Sequence, residues 1–190
     1  LNVDIKIDMP KSMFYKDDYL NERYHRKRAL YLAHLASELR DSGLVENLKY
    51  KLMGESNMKP VLTFLPFCKF NTHINVILHV GVEEGLFKLN RFSPSRNNVR
   101  ENWRFRKSDL ENTLSTPTPM YNKAILMDLT YDMNNKVLFD SINDCENIKQ
   151  GIILLKIWLK QRQIYKFSGF IMTMFVAYLI KIKRINNAMS

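Results

Sequence analysis

The chain has 190 residues, 46% of them hydrophobic, with eleven Phe, nine Tyr and ten Met, which is enough bulk for a packed core and excludes a disordered chain. Its 29 Lys and Arg against 19 Asp and Glu leave a net charge of +10. That surplus suits a polyanion (nucleic acid first, then an acidic protein or anionic membrane) or is simply a soluble basic surface.

Asn2-Val3-Asp4-Ile5-Lys6-Ile7-Asp8-Met9 alternates apolar and polar residues, the period of a half-buried strand. Carboxylates at i and i+2 on such a strand lie roughly 6.6 Å apart and reach a shared metal pair. Here the i+2 residue of Asp4 is Lys6, a cation that repels a divalent metal, and Asp8 is roughly 13 Å from Asp4. A helix is predicted from Lys16-Asp17-Asp18, whose acids suit its positive end, to Arg40-Asp41-Ser42-Gly43, with apolar Leu20, Tyr24, Leu32, Leu35 and Leu39. Within it Arg23, Arg26, Lys27 and Arg28 form a basic cluster, read as a solvated face paired with acids such as Asp18 and Glu22, or as an RNA contact. Strands follow at Leu48/Tyr50/Leu52, at residues 61–65 and at Ile74 to Val82 by alternation, the last two as antiparallel neighbours.

Residues 88–107 change character. Lys88, Arg91, Arg96, Arg100, Arg104, Arg106 and Lys107 stand against one acid, Glu101, with Phe92, Trp103 and Phe105 interleaved. The arginines suit phosphates and the aromatics suit stacking on unpaired bases; alternatively the aromatics pack beneath the segment and the arginines face water or an acidic partner. Residues 108–119, ending Ser115-Thr116-Pro117-Thr118-Pro119, read as a proline-marked linker, so the expected domains are 1–110 and 117–190. The rest reads helical: residues 121–138; then a helix capped by Asp144 or Asn147 with Ile148, Ile152, Leu155 and Leu159 buried and Lys149, Lys156, Lys160 and Gln163 along a wet face; then residues 167–180, apolar almost all round and therefore an interior helix. Trp158, beside the buried stripe, is expected in the core. That last apolar run is shorter than the roughly 20 residues needed to cross a bilayer. Cys68 and Cys145 lack a second ligand at metal spacing, and His25, His34, His73 and His79 complete no zinc pattern; free thiols in a reducing compartment or a single disulfide both remain open. The chain opens without methionine, inside a strand pattern, and is expected to be a piece of something larger.

A mixed sheet with the remains of an acid pair, followed by a helical half, is the layout of the nucleotidyltransferase superfamily. Leu154-Leu155-Lys156-Ile157-Trp158-Leu159-Lys160-Gln161-Arg162 and Phe167-Ser168-Gly169-Phe170 look like a poly(A)-polymerase-type helical domain. More specifically, the whole chain resembles the Nrap family of nucleolar RNA-associated proteins. The resemblance is carried by Leu20-Asn21-Glu22-Arg23-Tyr24-His25-Arg26-Lys27-Arg28-Ala29-Leu30-Tyr31-Leu32-Ala33-His34-Leu35, by Asn97-Asn98-Val99-Arg100, by Pro117-Thr118-Pro119-Met120-Tyr121-Asn122, and by the Lys156 helix with Ser168-Gly169-Phe170. It departs from the family where a glycine-rich loop usually precedes Ser168, since Gln163-Ile164-Tyr165-Lys166 runs straight into Phe167.

The resemblance implies an α+β fold: a degenerate nucleotidyltransferase-like mixed sheet with helices, N-terminally incomplete, then the start of an all-α poly(A)-polymerase-like domain. It implies no cofactor and a nucleolar scaffold in pre-ribosomal RNA processing within the small-subunit processome, with a small RNA-binding assembly factor and casein kinase as partners. The superfamily's third carboxylate comes from a later strand, and alternation over Ile74 to Val82 puts Asn75 there. With Asp4 as the remaining acid beside Lys6, the expectation is a pseudoenzyme; the bland reading of Asp4 and Lys6 as a polar strand face predicts the same absence of chemistry. The competing readings are an active template-independent nucleotidyltransferase and a purely protein-binding module.

Overall fold

The computed structural model describes residues 2–52, 58–67, 74–100, 116–164 and 167–185. The architecture is α+β: four strands in one mixed sheet and, among the described residues, five α-helices. Two compact units divide the chain, residues 1–131 and 132–190.

In the first unit, β1 (Asn2–Met9) lies parallel to β4 (Asn75–Val82), β4 is antiparallel to β3 (Pro60–Pro66), and β3 is antiparallel to β2 (Val45–Leu52). The order β1-β4-β3-β2 makes β4 central, which fits its near-continuous apolar run, Val76-Ile77-Leu78 and Val80, Val82 being buried. All three strands form where they were expected, but the in–out alternation does not carry through: β1 leaves Val3 and Ile5 exposed, β3 buries the adjacent Val61 and Leu62, and β4 buries Ile77 and Gly81 on its second face as well. β2 carries a bulge, with its register shifting between Glu46 and Lys49 and Asn47 at φ 54°, a conformation asparagine tolerates better than most residues.

Helix α1 (Arg23–Asp41) covers one face of this sheet with Tyr24, Arg28, Leu32 and Ala36 at four-residue steps. It starts seven residues after the predicted position. The Asp18 carboxylate accepts from the Tyr15 backbone N–H at 2.7 Å and from Lys27 at 2.6 Å, so the acids close a turn instead of opening a helix. Asn21 and Glu22 then take left-handed φ, which blocks helix before Arg23. The basic cluster is also divided: the expected Lys27–Asp18 pair forms, but Arg28 is 1% exposed and is no surface cation.

The predicted helix over 121–138 is two helices, α2 (Pro119–Leu129) and α3 (Tyr131–Ile142), separated at Thr130. Proline at N1 suits the start of α2. α2 buries Tyr121, Asn122, Ala124, Ile125, Asp128 and Leu129, and Tyr121, Ile125 and Leu129 join the core formed by the sheet and α1.

The second unit contains α4 (Glu146–Gln161) and α5 (Gly169–Lys181). Cys145, not Asp144 or Asn147, precedes α4, and no side chain caps it. Ile148 and Ile152 pack with Ile142, Cys145 and Ala177 in a small cluster; Leu159 is buried and Leu155 half-buried. Ser168 caps α5 by accepting the Ile171 N–H at 3.3 Å. Two expectations fail here. Trp158 is 47% exposed, and α5 buries only Ala177, leaving Phe170, Ile171, Phe175 and Tyr178 open. Both helices carry apolar residues on more than one side, and among the described residues the cluster of Ile142, Cys145, Ile148, Ile152 and Ala177 buries one side of each. Among the described residues no helix is long and apolar enough to cross a membrane.

Candidate functional site

Parallel pairing sets the polar face of β1 beside that of β4, with Asn2 opposite Asn75, Asp4 opposite Ile77, Lys6 opposite His79 and Asp8 opposite Gly81. Side chains two residues apart share a face, so Asn2, Asp4, Lys6 and Asp8 line up next to Asn75, Ile77, His79 and Gly81. Each acid on this face has a partner. Asp4 Oδ1 accepts from His79 Nε2 at 2.9 Å, which places a ring proton on Nε2 whether the imidazole is neutral or charged. Asp8 Oδ1 lies 2.7 Å from Lys6 Nζ.

Lys6 is held on several sides. Its ammonium donates to the Val82 carbonyl at 3.3 Å and sits 5.6 Å from the centre of the Tyr131 ring. Its side chain is 12% exposed. Gly81 provides the space: a Cβ there would come 2.5 Å from Lys6 Cε and 3.3 Å from Asp8 Oδ1. Tyr131 also tilts against His79, with ring centres 6.5 Å apart. Of the residues singled out from sequence, Asp4 and Lys6 occupy one face as expected, and Asn75 stands at the start of β4, where its Nδ2 donates to Asn2 Oδ1 at 3.4 Å. His79 is the β4 residue that reaches Asp4; sequence reasoning missed it, although alternation along β4 places it on the polar face with Asn75. No group of three or more His, Cys, Asp or Glu among the described residues is arranged to hold a metal ion.

The basic segment presents differently. Lys88, Arg91, Arg96 and Arg100 are exposed, whereas Phe92 is 3% exposed and packs with Tyr19 and Phe87 in the core. Of the two alternatives, Phe92 therefore takes the packing role. Arg104, Arg106, Lys107, Trp103 and Phe105 lie outside the described residues.

A polar clamp fixes the backbone of this segment. Asn98, 4% exposed, donates from Nδ2 to the Arg91 carbonyl at 2.9 Å and to Asn122 Oδ1 at 2.8 Å. Asn122 donates from Nδ2 to the carbonyls of Ser93 and Arg96, each at 2.9 Å. Thr118 Oγ1 accepts the Asn98 N–H at 3.0 Å, and Asn21 accepts the Arg100 N–H at 3.0 Å while giving its own N–H to the Asn98 carbonyl at 2.8 Å. Tyr121 donates its hydroxyl to the Tyr19 carbonyl at 2.7 Å and accepts the Glu22 N–H at 3.1 Å; burial pushes its pKa well above the usual phenol value, so it stays a neutral donor. Three of the four stretches that carry the family resemblance thus meet in one hydrogen-bonded node.

A second buried group lies between α1 and α2. Asp128 accepts from the Tyr24 hydroxyl at 2.8 Å and pairs with Lys59 at 2.5 Å and Arg28 at 3.5 Å. Arg28 also donates to the carbonyls of Val80 at 3.1 Å and Pro60 at 2.8 Å. Burial, with Asp128 beside it, pushes the Tyr24 hydroxyl well above its usual pKa. His25 packs edge-on to Tyr24 and Tyr121; burial lowers its pKa to about 4, Asp128 opposing that effect and Arg28 and Lys59 adding to it.

Comparison with known proteins agrees with this framework. The family model described as Nrap protein domain 1 matches residues 1–144. Nucleolar protein 6 of Xenopus tropicalis is 40% identical over 194 aligned residues, covering 100% of this chain and 17% of that protein. The Mus musculus and Homo sapiens proteins of the same name are 37% and 34% identical, again over 100% of this chain and 17% of each. The chain therefore spans about one-sixth of the length of these relatives. With the resemblance first read from residues 20–35, 97–100 and 117–122 now matched by a family model over most of its length, the chain belongs to the Nrap family.

Proposed function

We propose that this chain is part of a non-catalytic scaffold of ribosome biogenesis, acting in pre-ribosomal RNA processing and early small-subunit assembly in the nucleolus. Family membership supports the process, and the relatives' name, Nucleolar protein 6, supports the compartment. Residues 1–110 are read as a degenerate nucleotidyltransferase-like domain, and residues 117–190, from α2 onward, as the start of a poly(A)-polymerase-like helical domain. The sequence boundary at 110–117 is kept as a family-domain division, with α2 contributing to the packing of the sheet. Pre-ribosomal RNA, a small RNA-binding assembly factor and casein kinase are the partners this reading assigns to the whole protein. Arg91, Arg96 and Arg100, continued by Arg104, Arg106 and Lys107, are its RNA-contact residues.

The observation that carries the non-catalytic part is Lys6. Nucleotidyl transfer needs several carboxylates to hold two divalent ions against a triphosphate. On the polar face of β1 the residue between Asp4 and Asp8 is a cation, locked onto Asp8 and the Val82 carbonyl, while Asp4 is committed to His79. The test is incubation of the intact protein with each nucleoside triphosphate, magnesium or manganese, and an RNA primer. No extension is expected. Extension that Asp4→Ala abolishes would overturn the proposal.

A further inference from the structure

Five basic side chains of the first unit have acidic partners within it: Lys6 with Asp8, Lys11 with Glu83, Lys27 with Asp18, and Arg28 and Lys59 with Asp128. The cations of residues 85–100 are different. Lys88, Arg91, Arg96 and Arg100 occur there with no acid in the same stretch, all four are exposed, and none of their side chains makes a hydrogen bond or ion pair among the described residues. Their backbone is nevertheless held in place. The Arg96 N–H closes a turn onto the Ser93 carbonyl at 3.0 Å, Asn122 holds the Ser93 and Arg96 carbonyls, Asn98 holds that of Arg91, and Asn21 holds the Arg100 N–H.

We infer that this clamped segment takes the sugar–phosphate backbone of base-paired RNA and not the faces of unpaired bases. The inference rests on the RNA-contact reading above and names the chemistry that the surface recognises. Recognition of single strands relies on aromatic platforms for successive bases. Phe92, the described aromatic of residues 88–100, is instead committed to the core. The segment's exposed charges, Lys88, Arg91, Arg96 and Arg100, stand on a fixed frame beside the half-exposed Leu89, and a fixed frame suits a ligand whose charges repeat at fixed spacing. An A-form duplex is such a ligand, being bound mainly through phosphates and 2′-hydroxyls. Clamping the loop beforehand also removes ordering cost from binding.

The experiment is fluorescence anisotropy of the intact protein with a 5′-labelled RNA hairpin stem of about 20 base pairs and a single strand of the same composition, over a series of salt concentrations. Wild type is expected to bind the stem more tightly than the single strand, with affinity falling steeply in salt. The Arg91→Gln/Arg96→Gln/Arg100→Gln variant is expected to lose roughly tenfold or more for the stem and to flatten the log–log salt slope by about 2 to 3. These exposed side chains carry no described contact, so the circular dichroism and melting curve of the variant should match wild type. A wild-type protein that binds neither RNA would sink the RNA-contact reading itself. Binding that favours the single strand, or a triple variant that binds the stem unchanged, would leave that reading standing and overturn this inference.

Discussion

At the scale of single residues, the first unit puts charge in places where composition alone would expect oil. Arg28 takes one position of the α1 stripe that Tyr24, Leu32 and Ala36 otherwise fill, and Asp128 answers it from α2. An unpaired charge in such a site is costly, so the pairing of Asp128 with Arg28 and Lys59, together with the hydrogen bond from the Tyr24 hydroxyl, is what makes the burial tolerable. His25 sits beside this group as a neutral imidazole. Its folded pKa of about 4 lies below the ordinary value of 6.5, so between those values the unfolded chain binds more protons than the folded one. Stability should therefore fall as pH drops from about 6.5 to about 4 and lose no more from this group below that, by up to about 3 kcal/mol in all. Urea titrations across that range should show the slope for wild type and a flatter profile for His25→Gln. An equal slope in both would assign it to another group. None of this was legible in sequence, because Arg28 and Asp128 are a hundred residues apart and a basic run on a helix reads as a wet face.

At the scale of elements, alternation was a dependable guide and helix ends were not. β1 and β4 fall where period-2 patterning put them and β3 where a short apolar run did, although Val3 and Ile5 of β1 are left exposed and β4 is buried on both faces. The start of α1 was misplaced because Asp17 and Asp18 carry the composition of a helix N-terminus, while the Asp18 carboxylate is occupied by Tyr15 and Lys27. The break between α2 and α3 has no proline or glycine to announce it; at Thr130 the hydroxyl donates to the Leu126 carbonyl at 2.9 Å. The clamp joining the basic segment to α2 was equally hidden. Asn98 and Asn122 follow no period, and only the folded chain brings them together. Asn122→Ala removes two donated bonds to the part-buried carbonyls of Ser93 and Arg96 and one accepted from buried Asn98, and should cost about 1–3 kcal/mol. Thermal melts would read the loss, and amide exchange should quicken at residues 93–98. A variant with wild-type stability and exchange would show that the segment is held by other contacts.

At the scale of the whole molecule, the family was legible in sequence and the reach of each half was not. Periodicity predicted α5 as an interior helix, yet Ile171, Phe175, Tyr178 and Ile182, at i, i+4, i+7 and i+11, are about half exposed. On α4, Ile153, Leu154, Ile157 and Trp158 form a similar outward stripe, opposite Ile148, Ile152 and Leu159. Apolar patterning reports that a surface is to be covered; it does not report what covers it. Contiguous apolar surface of this kind drives self-association. The 190-residue chain should show concentration-dependent mass in sedimentation, and Ile171→Lys/Phe175→Lys should reduce that association with its melting temperature nearly unchanged. A chain that stays monomeric at every concentration would contradict this.

The slot beneath Lys6 bears on how firmly the first strand is committed. Gly81 leaves room for the lysine stem, Asp8 and the Val82 carbonyl receive its ammonium, and Tyr131 lies over it. An aspartate at residue 6 would be too short to fill that slot, would strand Asp8 beside a like charge, and would withdraw the cation from the Tyr131 ring. A second carboxylate at residue 6 is therefore not accommodated by the fold at neutral cost. The lysine works as a ratchet: once its neighbours are fitted to it, replacing it calls for several substitutions at once.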